Sequence, residues 1–402
     1  MRKMVRMIRR DRPEFLKPLV KYLTTNLILT RYFIGLKNYQ ELQPGKVKFI
    51  YEKPVDLYYS CIKFYGKTGG SGLVKVEGFK KFAVVFSDVH VIGSSSMILL
   101  DDRYIYYEAQ SQEREANIDF TDCAMQFSKG DHCIIEGNFT KTVYDEAITL
   151  CSNYGINYYH FLYEIISKFE ALNALRPDSR IPLLVNEECL RIPQYRELLN
   201  FFNIDKREII PLDKLQLYRV KKLYHFSWPN RIPPNYKKIR EIKCTDNLFD
   251  IESLLFLRTG LLQLLKPANA GRRIFISRKN ASGRRKYNEE KIIEHIKHRG
   301  FVTVYPEEYS IAEQVSIFNE AEWIIGASGA AFSNILFCKK GCRVICLTNF
   351  AVDLSIFSPL AAYAGAYLVY LFDENLPLEN SSDLHSDFEI SPSQLDLVLD
   401  NI

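Results

Sequence analysis

Several features that would identify a class of protein are missing from this 402-residue sequence. No stretch reaches the roughly 18 uncharged apolar residues that a membrane-spanning helix needs, and no signal-peptide core precedes a small-residue cleavage site. The nine cysteines are scattered and none forms a C-x-x-C pair, so neither a disulfide framework nor a zinc site is predicted. These absences predict a cytoplasmic protein whose cysteines are reduced and mostly buried.

Other absences concern ligands and charge. The fingerprint G-x-G-x-x-G follows none of the predicted strands, which argues against a dehydrogenase. Residues 344–402 contain nine acidic residues and no Lys or Arg, whereas residues 1–40 contain ten Lys and Arg against two acids. The net charge of +5 therefore conceals one basic end. Elsewhere no basic surface with interleaved aromatic residues is indicated, so nucleic-acid binding is not predicted.

The basic end, residues 1–40, also carries leucines at helical spacing, as at Leu16, Leu19 and Leu23. The pattern predicts a basic amphipathic helix. Such a helix can lie on an anionic membrane surface, or it can pack on the core with its charged side in solvent. Both alternatives stay open.

The length predicts two cores, and we place the domains at 41–255 and 256–402. From Val47 to Cys133 apolar residues alternate with period two, which predicts a β meander. Asp101 and Asp102 invite comparison with the carboxylates of metal-dependent sugar transferases. They lie between two strand patterns with no third ligand in view, so we predict a hairpin turn and no metal site.

A helical pattern follows at residues 151–174, where Asn157 is a candidate N-cap. His160 and Glu164 are four residues apart and therefore share one helical face. A histidine oriented by a carboxylate is suited to general-base catalysis, although a histidine that merely packs in the core would fit the same spacing. The alternation of strand and helix patterns from Arg180 to Ile210 then predicts a parallel sheet.

The C-terminal half gives the clearest pattern. Strands at 274–276, 301–305 and 323–325 alternate with helices, one opened by a Ser310–Glu313 capping box, which predicts a doubly wound parallel sheet. The loops after its strands face one crevice, where residues 277–286 supply five cations and residues 326–331 form a turn of small residues before a helix near Phe332. A helix N-terminus beside cations is typical of phosphate binding; the alternative is a turn whose small residues only permit close packing.

At this point the chain resembles a known family. The segments NYYHFLYE, IFISRKNASGRRKYNE and GASGAAFSNILF, with the EQ-x-x-x-F-x-x-A spacing from Glu313 to Ala321, resemble glycosyltransferase family 61 over roughly residues 80–350. The resemblance implies an α/β fold of GT-B architecture, with two facing Rossmann-like domains and parallel sheets. It also implies an inverting transferase without a metal-binding D-x-D motif. The donor-binding residues by similarity are Arg278, Arg284, Arg285, Tyr305, Glu307, Ser328, Gly329, Ala330, Ser333 and Asn334.

The same resemblance places Asn157, Tyr158 and Tyr159 on the acceptor side, beside the catalytic residues His160 and Glu164. The expected partners are a nucleotide sugar as co-substrate, with no other cofactor, and a glycan or lipid-linked glycan acceptor of a surface polysaccharide. One departure is that relatives commonly have His where this chain has Ser328, which keeps a catalytically idle, membrane-docked scaffold as the alternative. The expected location is the cytoplasm, or the inner face of the cell membrane.

Overall fold

The structure, a computed structural model, describes residues 27–67, 69–70, 72–108, 118–267, 271–279, 285–349, 354–373 and 386–402. Most of the predicted basic N-terminal helix lies outside these residues. Its described part corrects the prediction, because Leu27–Phe33 forms a strand, β1, before helix α1 at Leu36–Leu42. The strand pairs with neighbours on both sides. These tertiary contacts override the prediction that the N-terminal helix continues through this segment.

A large mixed sheet occupies the first part of the chain and contains eleven strands among the described residues. After β1 they are β2 (Val47–Tyr59), β3 (Val74–Ile92), β4 (Met97–Leu99), β5 (Tyr104–Tyr107), β6 (Met125–Lys129), β7 (His132–Thr149), β8 (Leu183–Asn186), β9 (Ile209–Leu212), β10 (Gln216–Phe226) and β11 (Phe249–Asp250). The order is β11-β2-β3-β4-β5-β1-β7-β8-β9, with β10 pairing β3 and β7, and β6 pairing β7.

The predicted meander is present in this sheet, since β2 to β5 pair antiparallel in sequence order. Asp101 lies in the turn between β4 and β5, and its Oδ1 accepts the backbone N–H groups of Arg103 and Tyr104, each at 2.7 Å. This is the short side-chain turn expected of an Asp between two strands. The prediction of a hairpin turn at Asp101 and Asp102 is confirmed.

The predicted parallel segment is also present, because β7, β8 and β9 pair in parallel. The connections contain α2 (Tyr158–His160), a π-helical turn (Phe161–Ile165), a 3-10 turn (Ile166–Lys168), α3 (Phe169–Leu175), α4 (Glu187–Leu190) and α5 (Pro193–Phe202). Helix α6 (Ile251–Leu262) follows β11 and leads towards the second sheet.

The second sheet is purely parallel and has the strand order β13-β12-β14-β15-β16. Its elements are β12 (Arg273–Ile276), α7 (Glu289–Ile296), β13 (Val302–Val304), a 3-10 turn (Pro306–Glu308), α8 (Ile311–Glu320), β14 (Trp323–Ala327), a 3-10 helix (Ala330–Phe337), β15 (Arg343–Thr348), α9 (Ser358–Ala364), β16 (Tyr367–Phe372) and α10 (Pro392–Asn401). The order reverses between β12 and β14, and ligands of such sheets bind outside the carboxyl ends of the strands at this point.

Only the second sheet is Rossmann-like. The first sheet is mixed and largely antiparallel, so the GT-B arrangement of two Rossmann-like domains is not confirmed. The predicted α/β class is confirmed. The last strand of the first sheet ends at Asp250 and the second sheet begins at Arg273, so the boundary placed after residue 255 lies within α6. The two parts contact each other, since Tyr65 N–H donates to the carbonyl of Tyr370 and Tyr370 N–H to that of Lys63.

One pair of cysteines departs from the prediction that the cysteines are reduced. Cys61 and Cys244 form a disulfide, although they are separated by 183 residues and no spacing pattern connects them. The other seven cysteines are free, and all except Cys123 are buried. The described part of the chain contains no helix that is long and apolar enough to cross a membrane.

Candidate functional site

The helix that carries His160 begins as the sequence predicts. The side chain of Asn157 accepts the N–H of Tyr159, which satisfies one of the free donors at a helix start. The π-helical turn follows immediately, with Ile166 N–H bonded to the carbonyl of Phe161 five residues earlier. All five side chains of this turn are buried. Such turns are rare and occur frequently at functional sites.

His160 and Glu164 form a directly bonded pair. Nδ1 of His160 lies 2.7 Å from Oε1 of Glu164, and Oε2 of Glu164 accepts a 3.3 Å hydrogen bond from Ser152 Oγ. An ionised carboxylate only accepts hydrogen bonds, so the proton of the neutral imidazole sits on Nδ1 and Nε2 keeps its lone pair. Glu164 is buried, while 13% of the His160 side chain is exposed. This pair therefore presents an oriented base to solvent.

Aromatic rings hold the imidazole in place. The ring of Tyr154 stacks on that of His160 with centroids 4.9 Å apart, and Tyr159 meets it edge-on at 5.5 Å. Tyr154 is fixed in turn, since its hydroxyl lies 2.5 Å from Oγ1 of Thr121. The resemblance places Tyr159 beside His160, whereas no sequence pattern identifies Ser152 or Thr121, because single hydroxyl residues carry no recognisable spacing.

The structure brings this helix against the small-residue turn after β14. The hydroxyl of Tyr158 donates to Oδ1 of Asn334 at 2.8 Å, and that of Tyr163 donates to the carbonyl of Ser333 at 2.8 Å. Nδ2 of Asn334 donates in turn to Oε1 of Gln314 at 3.0 Å. Ser333 and Asn334 are completely buried, so they lie beneath the turn, away from solvent.

The turn itself follows the buried strand β14. The segment after it is a 3-10 helix over Ala330–Phe337, where the sequence predicts a helix from about Phe332. Gly329, Ala330 and Ala331 are partly exposed, whereas Phe332 is buried. Ala330 and Ala331 are the first helical residues, so their N–H groups have no acceptor within the helix. The turn therefore offers backbone donors on its exposed side.

Two predicted arginines converge on this turn. Nη1 of Arg278 and Nη2 of Arg285 both donate to the carbonyl of Ser328, the latter at 2.8 Å. A Cβ atom at Gly329 would lie 2.5 Å from Nη1 of Arg278, so any larger residue would require the guanidinium to shift from this position. Glu289 fixes the start of the loop after β12, because its Oε2 accepts the Arg278 N–H at 3.0 Å. Arg284 lies outside the described residues.

Beside these arginines is a cleft of about 690 Å³ at the carboxyl ends of β12 and β13. Its walls include Arg278, Arg285 and Tyr305, together with Lys279 and Lys286. Glu307 is exposed nearby, and its carbonyl accepts a 3.0 Å hydrogen bond from Gln194 of α5. His160 is not part of this lining, and its helix is connected to the turn through Tyr158 and Asn334.

A buried lysine adds a charge behind the histidine pair. Lys168 lies one turn after Glu164 and only 3% of the residue is exposed. Burial lowers the pKa of Lys168, while the carboxylates of Glu108 and Glu164 oppose this shift. Burial also raises the pKa of Tyr158, which keeps its hydroxyl protonated as a donor to Asn334. In the described ranges no group of three or more His, Cys, Asp or Glu residues is placed to hold a metal ion.

Comparison with known proteins is consistent with this geometry. Residues 158–345 match the family model described as Glycosyltransferase 61. The match begins at Tyr158 and ends within β15, so it includes His160, both arginines and the turn. No curated protein matches the chain. Residues 158–345 therefore resemble glycosyltransferase family 61, and the resemblance found in the sequence is confirmed over this region.

Proposed function

We propose that this protein is an inverting, metal-independent glycosyltransferase that moves a sugar from a nucleotide-sugar donor to a glycan or lipid-linked glycan acceptor. The observation that carries the proposal is the contact between two groups of residues. The His160–Glu164 pair and the turn that binds Arg278 and Arg285 are joined through Tyr158 and Asn334. Such a transfer needs a base to deprotonate the acceptor hydroxyl and a cationic site to bind the diphosphate.

In the proposed mechanism the acceptor hydroxyl attacks the anomeric carbon in a single displacement. Nε2 of His160 accepts the hydroxyl proton as the new bond forms, and Glu164 stabilises the resulting imidazolium. Tyr154 and Tyr159 keep the ring in the orientation that this proton transfer requires. Asn157 and Tyr158 lie at the start of the same helix, on the side assigned to the acceptor.

The leaving nucleoside diphosphate develops negative charge as the bond to the sugar breaks. We assign its neutralisation to the guanidinium groups of Arg278 and Arg285 and to the N–H groups of Ala330 and Ala331, at the turn that includes Gly329. Tyr305, which lines the cleft, and the exposed Glu307 are the residues that we assign to the nucleoside. Arg284, Ser333 and Asn334 complete the donor-side residues, the latter two by supporting the turn from below.

We also propose the class of acceptor and the cellular location of the enzyme. The acceptor would belong to a surface polysaccharide, and the basic N-terminal segment would hold the enzyme on the inner face of the cell membrane. The alternative, an idle scaffold with the same fold, rests on Ser328. A serine brings no positive charge to the turn, but its carbonyl already receives both arginines. The cations needed at this position are therefore supplied by neighbouring residues.

The test is release of nucleoside diphosphate from a panel of nucleotide sugars, with calorimetric binding of the diphosphate product in parallel. Arg278→Ala and Arg285→Ala should each weaken diphosphate binding by about 1.5–3 kcal/mol, the scale of a hydrogen bond to a charged group. Lys291→Ala is the matched control, since Lys291 lines the same cleft but pairs with Glu389. Undiminished affinity in both arginine variants, or no turnover of any donor by the folded wild type, would refute the proposal.

A further inference from the structure

A row of alternating cationic and aromatic residues follows the amino-terminal edge of the second sheet. Arg273, Trp323, Arg343 and Tyr367 begin β12, β14, β15 and β16, and each is in register with the next across neighbouring strands. Neighbouring strands lie about 4.8 Å apart, so the row extends over roughly 14 Å. In a parallel sheet the carboxyl ends are all at the opposite edge. The row therefore lies on the far side of the sheet from the cationic cleft.

The cations in this row are supported by rings. The guanidinium carbons of Arg273 and Arg343 lie 5.8 and 5.1 Å from the ring centroid of Trp323, and Nζ of Lys63 lies 4.4 Å from that of Tyr367. Cation–π contacts of this length are attractive and leave the positive charge unneutralised. Aromatic rings, and not carboxylates, therefore hold these three cations in position.

More cations border a shallow cleft beside the row. The cleft, about 540 Å³ in volume, is lined by Arg272, Lys339, Lys340 and Arg343, with Glu320 and Glu322 as the acids. Arg272 pairs with Glu322 at 2.5 Å. Lys339, Lys340 and Arg343 are exposed, and they form no salt bridge within the described part of the chain. The surface therefore has an excess of positive charge open to solvent.

Apolar surface accompanies these charges. Val302, the first residue of β13, is 48% exposed, and Tyr367 is 38% exposed. Both lie at the same edge, on the two outer strands of the sheet. Trp323 is buried beneath its two arginines, so Tyr367 and Val302 are the apolar side chains that this edge offers to the interface between lipid headgroups and hydrocarbon.

We propose that the amino-terminal edge of the second sheet, defined by Lys63, Arg273, Lys339, Lys340 and Arg343, docks on an anionic membrane surface. The cations are spread along a line and do not converge on one point, so they suit many headgroup phosphates better than a single free phosphate. Docking by this edge would turn the opposite edge, with the cationic cleft and the turn, away from the bilayer. A water-soluble donor could then enter the cleft freely. This inference does not depend on the proposed transferase activity or on residues 1–26.

The experiment is co-sedimentation of the full chain with vesicles of phosphatidylcholine alone and of phosphatidylcholine mixed with phosphatidylglycerol. Each basic residue near an anionic surface contributes about fivefold in affinity, so Lys339→Gln/Lys340→Gln should weaken binding to the anionic vesicles by roughly 25-fold. The matched control is Lys129→Gln/Lys141→Gln, which removes two exposed cations of the first sheet that form no salt bridge among the described residues. The control should bind within about twofold of wild type.

Circular dichroism of each variant verifies the fold, and release of nucleoside diphosphate in solution should be equal in all of them. A failure of docking is thereby separated from a failure of the transferase. Equal vesicle binding by wild type and the Lys339/Lys340 variant would overturn the proposal. So would an equal loss in both double variants, or wild-type binding to inorganic polyphosphate with none to the anionic vesicles.

Discussion

The hydroxyl of Tyr158 and Oδ1 of Asn334 are joined by a 2.8 Å hydrogen bond that connects residues 176 positions apart. This contact fixes the helix of the base against the turn after β14. Tyr158→Phe removes only the hydroxyl, so we expect a loss of about 1 kcal/mol in the free energy of unfolding and a several-fold fall in kcat. Tyr195→Phe is the control, because the Tyr195 hydroxyl bonds the carbonyl of Ile156 and stays within the first part of the chain. An equal effect on kcat in both variants would contradict a special role for the Tyr158 contact.

The catalytic prediction concerns His160. General-base assistance contributes roughly 10² to 10⁴ in rate, so His160→Ala should lower kcat by that order with donor affinity nearly unchanged. Glu164→Gln should cost less, because it removes the orienting charge and keeps the imidazole. Steady-state kinetics with thermal denaturation of each variant provide the measurement. If Glu164→Gln were the more damaging while both variants stayed folded, the carboxylate would be the base and the histidine would position the acceptor.

Gly329 lies close to Nη1 of Arg278, and this contact predicts the effect of adding a side chain there. In Gly329→Ala the new methyl group would meet Nη1 of Arg278 at 2.5 Å, so the guanidinium must move away from the Ser328 carbonyl. We expect diphosphate binding to weaken by about 1–2 kcal/mol, since one charged hydrogen-bond donor is displaced. Gly35→Ala is the matched control, because a Cβ there meets nothing within 4 Å. Calorimetric titration that finds the two variants equal would show that Arg278 does not act through this position.

Metal independence is tested by chelation. The Asp101 carboxylate is occupied by the turn after β4, so we expect full transferase activity in EDTA and in Asp101→Ala. That substitution should instead lower the free energy of unfolding by about 1 kcal/mol, because two backbone N–H groups lose their acceptor. Activity that disappears on chelation and returns with manganese or magnesium would refute metal independence.

The pH dependence of stability has a specific source in Asp122. Burial raises the pKa of Asp122 from 3.8 to about 6, although its oxygens accept the N–H groups of Ser96 and Ala124. The folded state holds this proton more tightly than the unfolded chain. The stability it contributes is therefore present below about pH 4 and lost as pH rises towards 6.

At 1.36 kcal/mol per pKa unit, the loss from Asp122 amounts to at most about 3 kcal/mol. Urea denaturation at pH 4.5 and 7 of wild type and Asp122→Asn measures it, since asparagine does not titrate. The destabilisation caused by the substitution should be smaller at pH 7 than at pH 4.5. Parallel pH dependence in the two proteins would show that Asp122 is not the source.

Short sequence patterns predicted the second half of the fold, because helix starts and ends depend on residues that are close together in the chain. The Ser310–Glu313 capping box opens α8 as expected, with the Ser310 N–H bonded to Oε2 of Glu313 at 2.8 Å. Gly300 takes the left-handed conformation (φ 79°) that ends the preceding helical turn. The distance between His160 and Glu164 is equally local, since it follows from their spacing on one helix. These features required no knowledge of distant residues.

The features that were missed depend on long-range contacts. Strand β10 inserts between β3 and β7, and no short pattern reveals which strands it will separate. The contact of Tyr158 with Asn334 and the Cys61–Cys244 disulfide likewise join distant segments. The sequence predicts that Leu27–Phe33 continues the N-terminal helix, but the segment finds strand partners on both sides. In each case the sequence is compatible with several partners, and only packing selects one.

The π-helical turn at Phe161–Ile165 has a consequence for how this chain can vary. A π turn holds one residue more than an α turn, and each residue of an α-helix advances by about 100° around the axis. Deleting one residue here would leave a continuous helix but would rotate everything before it relative to everything after it. Either His160 would lose its stacking on Tyr154, or Phe169 would leave the core. The direction of the base is therefore set by the number of residues in this turn.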